Sequence, residues 1–370
     1  MRRFFFITTF FFLCFPELQA QYRKEIDIPD IPGYLTLKCD FHVRTVFSEG
    51  EVWPTDRVSE AWEQGLDAMA ITDKVEFRTR NAETRPDHNQ SYEIARPLAE
   101  QRGIILIRGA ELSFRNLPGH FDAIFVKNAN LLVRENWKDA FQEAKDQGAF
   151  VFWYHPETES SQPEETQRWA WQNLLLQSGV IGGIEVFSGH DFYPEVLNWA
   201  RKKELTILAT SDVADKIDHT SGSDSVPRPV TLVFATERKA ESIRYALQNN
   251  RTAIYFDGQL LGDPKFLTPI FQGSIKVVNQ FLNLKNHESK FLQIHNNSDI
   301  DFSLIRRKTA VGFSYQREVV LKAHRTTLIE VIGTSDEIKD QAILKLEYDV
   351  KNLMTAPGEK LQVAIEVDNL

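Results

Sequence analysis

This sequence has almost no means of covalent cross-linking. It contains two cysteines, Cys14 and Cys39, and the first lies inside an apolar leader. With the leader removed, Cys39 stands alone, no disulfide can close within the chain, and stability must come from packing. Cys39 itself falls in an apolar strand pattern and reads as a core residue rather than a reactive thiol. Basic runs are also missing: there is no run of five or more. With a net charge of −9 and a pI of about 5.6, a nucleic-acid duplex or an anionic membrane is disfavoured as main partner. The chain also lacks an apolar run long enough to span a bilayer. The run Phe4–Phe15 is too short. Placed between Met1-Arg-Arg3 and Ala20, it reads as the core of a secretory signal, which makes residues 1–20 a signal peptide and predicts a secreted or periplasmic protein with no membrane span after cleavage. No internal repeat or low-complexity tract is visible, although Thr220–Pro227 reads as a surface loop.

What the sequence does contain is a long alternation of two patterns. Strand-like apolar runs occur at Leu35–His42, Leu66–Thr72, Ile104–Leu112, Phe121–Val126, Phe150–His155, Ile181–Phe187, Leu205–Thr210 and Val230–Phe234. Between them lie helical periods at Asp56–Gln64, Ser91–Arg102, Trp137–Gln147, Glu164–Gln177, Pro194–Lys203 and Glu237–Asn249. Gly65, Gly103 and Gly148 stand where three of these helices should stop. Strand and helix alternating in this way specify an α/β fold with mostly parallel strands over residues 21–273. From residue 274 to 370 the pattern changes to short alternating segments, Ile275–Phe281, Phe291–His295, Thr327–Ile332, Ala342–Tyr348 and Lys360–Glu366, which suggest a small β-sandwich.

In such α/β folds chemistry collects at the carboxyl ends of the strands, where rigid strands hold converging loops. Those ends carry His42 and Arg44, Asp73 and Lys74, Glu111, His120 just ahead of its strand, His155, Glu185 or His190, and Asp212. Strand alternation puts Asp40, His42 and Arg44 on one face. A second histidine at position 44 would make a metal-binding pair with His42. The sequence places a cation there instead.

The segments Asp40-Phe-His-Val-Arg-Thr-Val-Phe-Ser-Glu-Gly50, Gly65-Leu-Asp-Ala-Met-Ala-Ile-Thr-Asp-Lys74, Gly109-Ala-Glu111, Pro118-Gly-His120, Phe152-Trp-Tyr-His155-Pro and Thr210-Ser-Asp212-Val-Ala214 resemble, in order, the motifs of the PHP (polymerase and histidinol phosphatase) superfamily. They look most like its secreted bacterial phosphodiesterase-like members. The resemblance covers roughly Leu35 to Phe271 and implies a distorted (β/α)7 barrel that holds two or three divalent metals at the strand ends and hydrolyses phosphate esters. It also implies that the C-terminal β module belongs with the barrel.

Mapped onto this chain, the family's metal set becomes His42, Glu49, Asp73, Glu111, His120, His155 and Asp212. Three histidines that the family's motifs call for are replaced, by Arg44, Lys74 and Ala214. A guanidinium has no lone pair to donate, and an ammonium must first lose its proton. A unit positive charge ~5 Å from a divalent cation, at an effective dielectric of ~20, is repelled by on the order of 5–7 kcal/mol. The full two- or three-metal cluster is therefore not expected. A single zinc or manganese ion on His42, Glu111, His155 and Asp212 remains an open alternative.

Arg44 and Lys74 admit three readings. They take over the electrostatic role of the missing metals and bind a small phosphorylated molecule or other anion. Or they are salt-bridge partners that keep a vacated site folded. Or one remaining metal activates water for slow phosphodiester hydrolysis, with His42, Glu111, His155 and Asp212 as the catalytic group. The sequence thus points to a non-catalytic or weakly active phosphoesterase homologue, with an active metal-dependent phosphodiesterase as the alternative. A protein partner docking on the β module is a further class, its identity unspecified.

Overall fold

The computed structural model describes residues 22–76, 87–114, 119–156, 175–189, 191–217 and 228–369. The leader 1–20, most of the helix expected at Glu164–Gln177, His190 and the loop Thr220–Pro227 lie outside the described residues.

The eight expected strands form with small shifts at their ends: β1 (Leu35–Val43), β2 (Ala68–Ile71), β3 (Ile105–Leu112), β4 (His120–Ile124), β5 (Phe150–Tyr154), β6 (Ile181–Ser188), β8 (Thr206–Thr210) and β9 (Val230–Ala235); the two-residue β7 (Asp191–Phe192), which the sequence pattern does not mark, follows β6. Their hydrophobic runs are buried on both faces, as strands sandwiched between a barrel interior and covering helices must be. Helices Pro54–Glu63, Gln90–Arg102, Trp137–Asp146, Pro194–Lys202 and Ala240–Gln248 cover the outside. Gly103 caps the second of these at φ +70°, a conformation that would strain any residue with a Cβ.

β1, β2 and β3 run parallel, as do β5, β6 and β8. β4 is antiparallel to both β3 and β5, and β9 is antiparallel to β1. The reversal at β4 follows from chain length: the link from Leu112 to His120 is too short for the crossover that a parallel neighbour needs. As a result the start of β4, not its end, meets the carboxyl ends of β3 and β5, and His120 stands opposite Tyr154. Val43 at the end of β1 bridges Val213 just beyond β8, so the first and last parallel strands meet and the wall comes round on itself.

Beyond β9 the chain departs from the strand–helix alternation. β10 (Thr252–Phe256) and β11 (Gln259–Gly262) form a hairpin turned by Asp257 and Gly258, both at positive φ. Helix Pro264–Ser274 then begins with Asp263 accepting a hydrogen bond from the Lys265 backbone N–H at 2.9 Å.

The remaining strands are β12 (Ile275–Val277), β13 (Ser289–Asn296), β14 (Phe302–Arg306), β15 (Phe313–Tyr315), β16 (Glu318–Leu321), β17 (Thr326–Gly333), β18 (Ile343–Ala356) and β19 (Glu359–Asp368). They make the sandwich: β16-β14-β18-β19 faces β12-β13-β17-β15. The sandwich is tied directly to the barrel, because β18 pairs in parallel with β11 through Leu260–Leu353 and Leu261–Met354. One apolar cluster runs from Leu267 and Phe271 under the barrel to Phe302, Leu344 and Ile365 in the sandwich. Phe271 and Phe302 meet edge to face, 5.1 Å apart.

Candidate active site

The strand ends bring His42, Arg44, Lys74, Glu111, His155 and Asp212 into one cluster. β1 delivers His42 with no solvent exposure. Its Nε2 lies 3.1 Å from Asp212 Oδ1 and 3.9 Å from Glu111 Oε2, and its Nδ1 lies 2.5 Å from Asp122 Oδ2. These are contacts at ion-pair distance, outside hydrogen-bond alignment. Burial alone would lower the His42 pKa, but the Asp122 charge raises it well above the ordinary imidazole value. Asp122 is itself fully buried, and burial pushes its carboxyl up to about 7 despite the opposing imidazole.

Two residues beyond His42, Arg44 fills the space between two carboxylates. Its Nε donates to Glu111 Oε2 at 2.9 Å, and its Nη1 lies 2.6 Å from Asp212 Oδ1. Lys74 Nζ lies 3.4 Å from the other Glu111 oxygen and 2.5 Å from Glu49 Oε2. Burial would raise the Glu111 pKa, yet the Arg44, His42 and Lys74 charges hold it below the usual carboxylate range. The Tyr154 ring packs against His42 and His120, at 4.4 and 5.3 Å.

His155 and Asp212 both adopt left-handed backbone, φ +47° and +50°, and face one another, Nε2 to Oδ2 at 2.9 Å. Such conformations persist where the surroundings over-determine them, and they concentrate at sites. Behind His155, buried Glu185 accepts its backbone N–H at 3.1 Å and the Thr210 hydroxyl, while Tyr193 Oη lies 3.3 Å from its Nδ1. Asp212 is held far below the usual range: burial opposes this, and the His155 and His42 contacts and the Arg44 charge outweigh it.

Asp73 holds the turn that follows β1. Both of its oxygens accept hydrogen bonds from the turn after β1, from Thr45 N (2.8 Å), Thr45 Oγ1 (2.7 Å) and Ser48 Oγ (2.6 Å). That turn carries Glu49, whose side chain is 49% exposed. Ala214, where the motif calls for histidine, offers its carbonyl to Arg57 Nη2 and to the Glu51 N–H. Arg57, buried, also donates to the carbonyls of Arg44, Val213 and Asp215, pinning the Asp212 loop to the end of β1.

Sequence patterns alone do not single out Asp122, Arg57 or the buried Asp40–Arg228 pair as parts of the site. Asp122 does leave a signal there, as an acid inside an otherwise apolar strand.

A divalent metal does not fit these side chains as they stand. Arg44 and Lys74 engage both oxygens of Glu111, while Asp212 is shared among Arg44, His42 and His155. Among the described residues, no group of three or more His, Cys, Asp or Glu side chains is arranged to hold a metal ion.

Known proteins bear on this arrangement. The chain matches a two-domain protein from Bacteroides vulgatus containing a predicted PHP-like metal-dependent phosphoesterase, at 39% identity over 94% of this chain and 100% of that one, with a TM-score of 0.84. This chain belongs to the PHP-like phosphoesterase family. An Ig-like domain family model matches residues 275–366, in agreement with the sandwich of this family member. An amidohydrolase from Chromobacterium violaceum, with bound sulfate and no metal, overlaps 48% of the PHP-like chain and 87% of its own length at 16% identity and a TM-score of 0.38, a level that says nothing of the site. No curated protein matches.

Proposed function

We propose that this PHP-like protein replaces the multinuclear metal centre with an internal ion-pair network, and that it is a non-catalytic or weakly active phosphoesterase homologue whose barrel mouth takes a small anion, phosphorylated or otherwise. The observation that carries this reading is Arg44 lying between Glu111 and Asp212. A metal entering that position would have to expel a guanidinium bound to both of its prospective carboxylate ligands. With Arg44 left ~5 Å away, the repulsion at an effective dielectric of ~20 is on the order of 5–7 kcal/mol. Arg44, Lys74 and the histidines are then the groups that face an anion. We further propose that residues 1–20 are cleaved as a signal and that the mature protein works outside the cytoplasm.

One observation favours a second reading. His42, Glu111, His155 and Asp212 still converge, and His155 and Asp212 keep strained backbone toward each other. If Arg44 swings away, a single zinc or manganese ion on this set would make a phosphodiesterase with a reduced metal complement. Turnover of bis(p-nitrophenyl) phosphate with added Mn2+ or Zn2+ tests the choice. The proposal expects no metal-dependent turnover above a His155→Ala control. Turnover that requires metal and disappears in His155→Ala refutes it.

A further inference from the structure

The ion pairs of the site differ sharply in their exposure. Glu111 is fully buried and Arg44 is 11% exposed, whereas Lys74 is 19% and its partner Glu49 is 49% exposed. Of the contacts these cations make, Lys74–Glu49 is therefore the one that water reaches most freely, and such a pair contributes little to stability. The backbone carrying Glu49 is fixed from both sides. Ser48 is bonded to Asp73. Gly50 donates to the Thr45 carbonyl at 3.0 Å, and a Cβ on it would stand 2.8 Å from the Arg44 carbonyl carbon. The Glu49 side chain can thus turn out into solvent without any loop movement.

Charge arithmetic gives that rotation a consequence. With Glu49 in place, two cations (Arg44, Lys74) face three carboxylates (Glu49, Glu111, Asp212), an excess of one negative charge. With Glu49 turned away, two face two. The position vacated by the Glu49 carboxylate is then bordered by the Lys74 ammonium.

Resting on the anion-binding reading above, we infer that Glu49 is a built-in competitor: its carboxylate occupies the subsite on Lys74 that a ligand oxyanion, phosphate or carboxylate, takes by displacing it. The site then selects small oxyanions that outcompete a tethered carboxylate, and phosphate is favoured over a monocarboxylate because it offers more acceptor oxygens to Lys74.

Calorimetric titration of the full mature chain with inorganic phosphate, phenyl phosphate and acetate tests this. Wild type should bind phosphate weakly, Glu49→Gln roughly five- to tenfold more tightly, and Glu49→Gln with Lys74→Gln no better than background, with near-ultraviolet circular dichroism verifying that each variant is folded. Phenyl phosphate binding as well as free phosphate would place an ester in the subsite; exclusion of the ester would restrict the ligand to the free ion. Equal phosphate affinity in wild type and Glu49→Gln overturns the competitor role while leaving anion binding intact. Absence of binding in both overturns the anion reading itself.

Discussion

Arg44 Nε donates to Glu111 Oε2 at 2.9 Å, joining the residue just past β1 to the penultimate residue of β3. With the Arg44–Asp212 contact it ties the ends of three strands together through one guanidinium.

Removing the cation should be costly. Arg44→Met takes from Glu111 and Asp212 the cation they share and leaves them to Lys74 and the histidines, which predicts a loss of up to about 3 kcal/mol. Urea unfolding of wild type and variant measures it, and Arg44→Lys should recover part of the loss.

Restoring the missing imidazoles should reverse the chemistry. Arg44→His, Lys74→His and Ala214→His combined should acquire Mn2+ or Zn2+ in near-stoichiometric amount, measured by inductively coupled plasma mass spectrometry after dialysis. A triple variant that stays metal-free would show that the pocket has diverged beyond these three positions.

The His155–Asp212 pair predicts a pH signature. Burial alone would lower the His155 pKa, but the Asp212 hydrogen bond and the Glu185 charge outweigh it and hold it above the ordinary 6.5. A folded-state pKa raised above the unfolded value contributes stability that is complete below about 6.5 and is lost as pH rises through the higher folded value. The stability gap between wild type and His155→Gln should therefore narrow on the alkaline side. Asp212, depressed, adds stability that is lost only as the pH falls below the usual carboxylate range. Thermal melts from pH 5 to 9 should show the alkaline narrowing.

The shared core predicts that the barrel does not stand alone. A chain ending at Ser274 loses the β11–β18 pairing and exposes Phe271 and its neighbours. It should bind a hydrophobic dye and lose near-ultraviolet circular dichroism, whereas the full chain should do neither.

Much of this architecture is legible in the residue order. Apolar runs closed by Gly65, Gly103 and Gly148 mark strand and helix positions because burial and chain reversal impose those residues locally. The cation at 44 can be placed at the site because strand alternation puts it on the face of His42, and the one at 74 because it follows a strand end. Their partners cannot be assigned, since Glu111 and Asp212 lie 67 and 168 positions from Arg44 (111 − 44 and 212 − 44) and only the closed wall brings them together. Asp73 shows the limit well: both its oxygens accept hydrogen bonds from the Thr45–Ser48 turn, contacts that no period reveals. The β10–β11 hairpin carries a turn signal in Asp257-Gly258, a dipeptide easily lost beside the stronger strand–helix alternation before it. The parallel β11–β18 link has no local signal, being a long-range pairing.

The most direct test of the account is a diffraction experiment on crystals soaked in MnCl2, with data collected at the manganese absorption edge. The ion-pair account predicts no anomalous peak among His42, Glu111, His155 and Asp212, with Arg44 still bridging Glu111 and Asp212. A strong peak coordinated by those residues, with the Arg44 guanidinium displaced from both carboxylates, would contradict it.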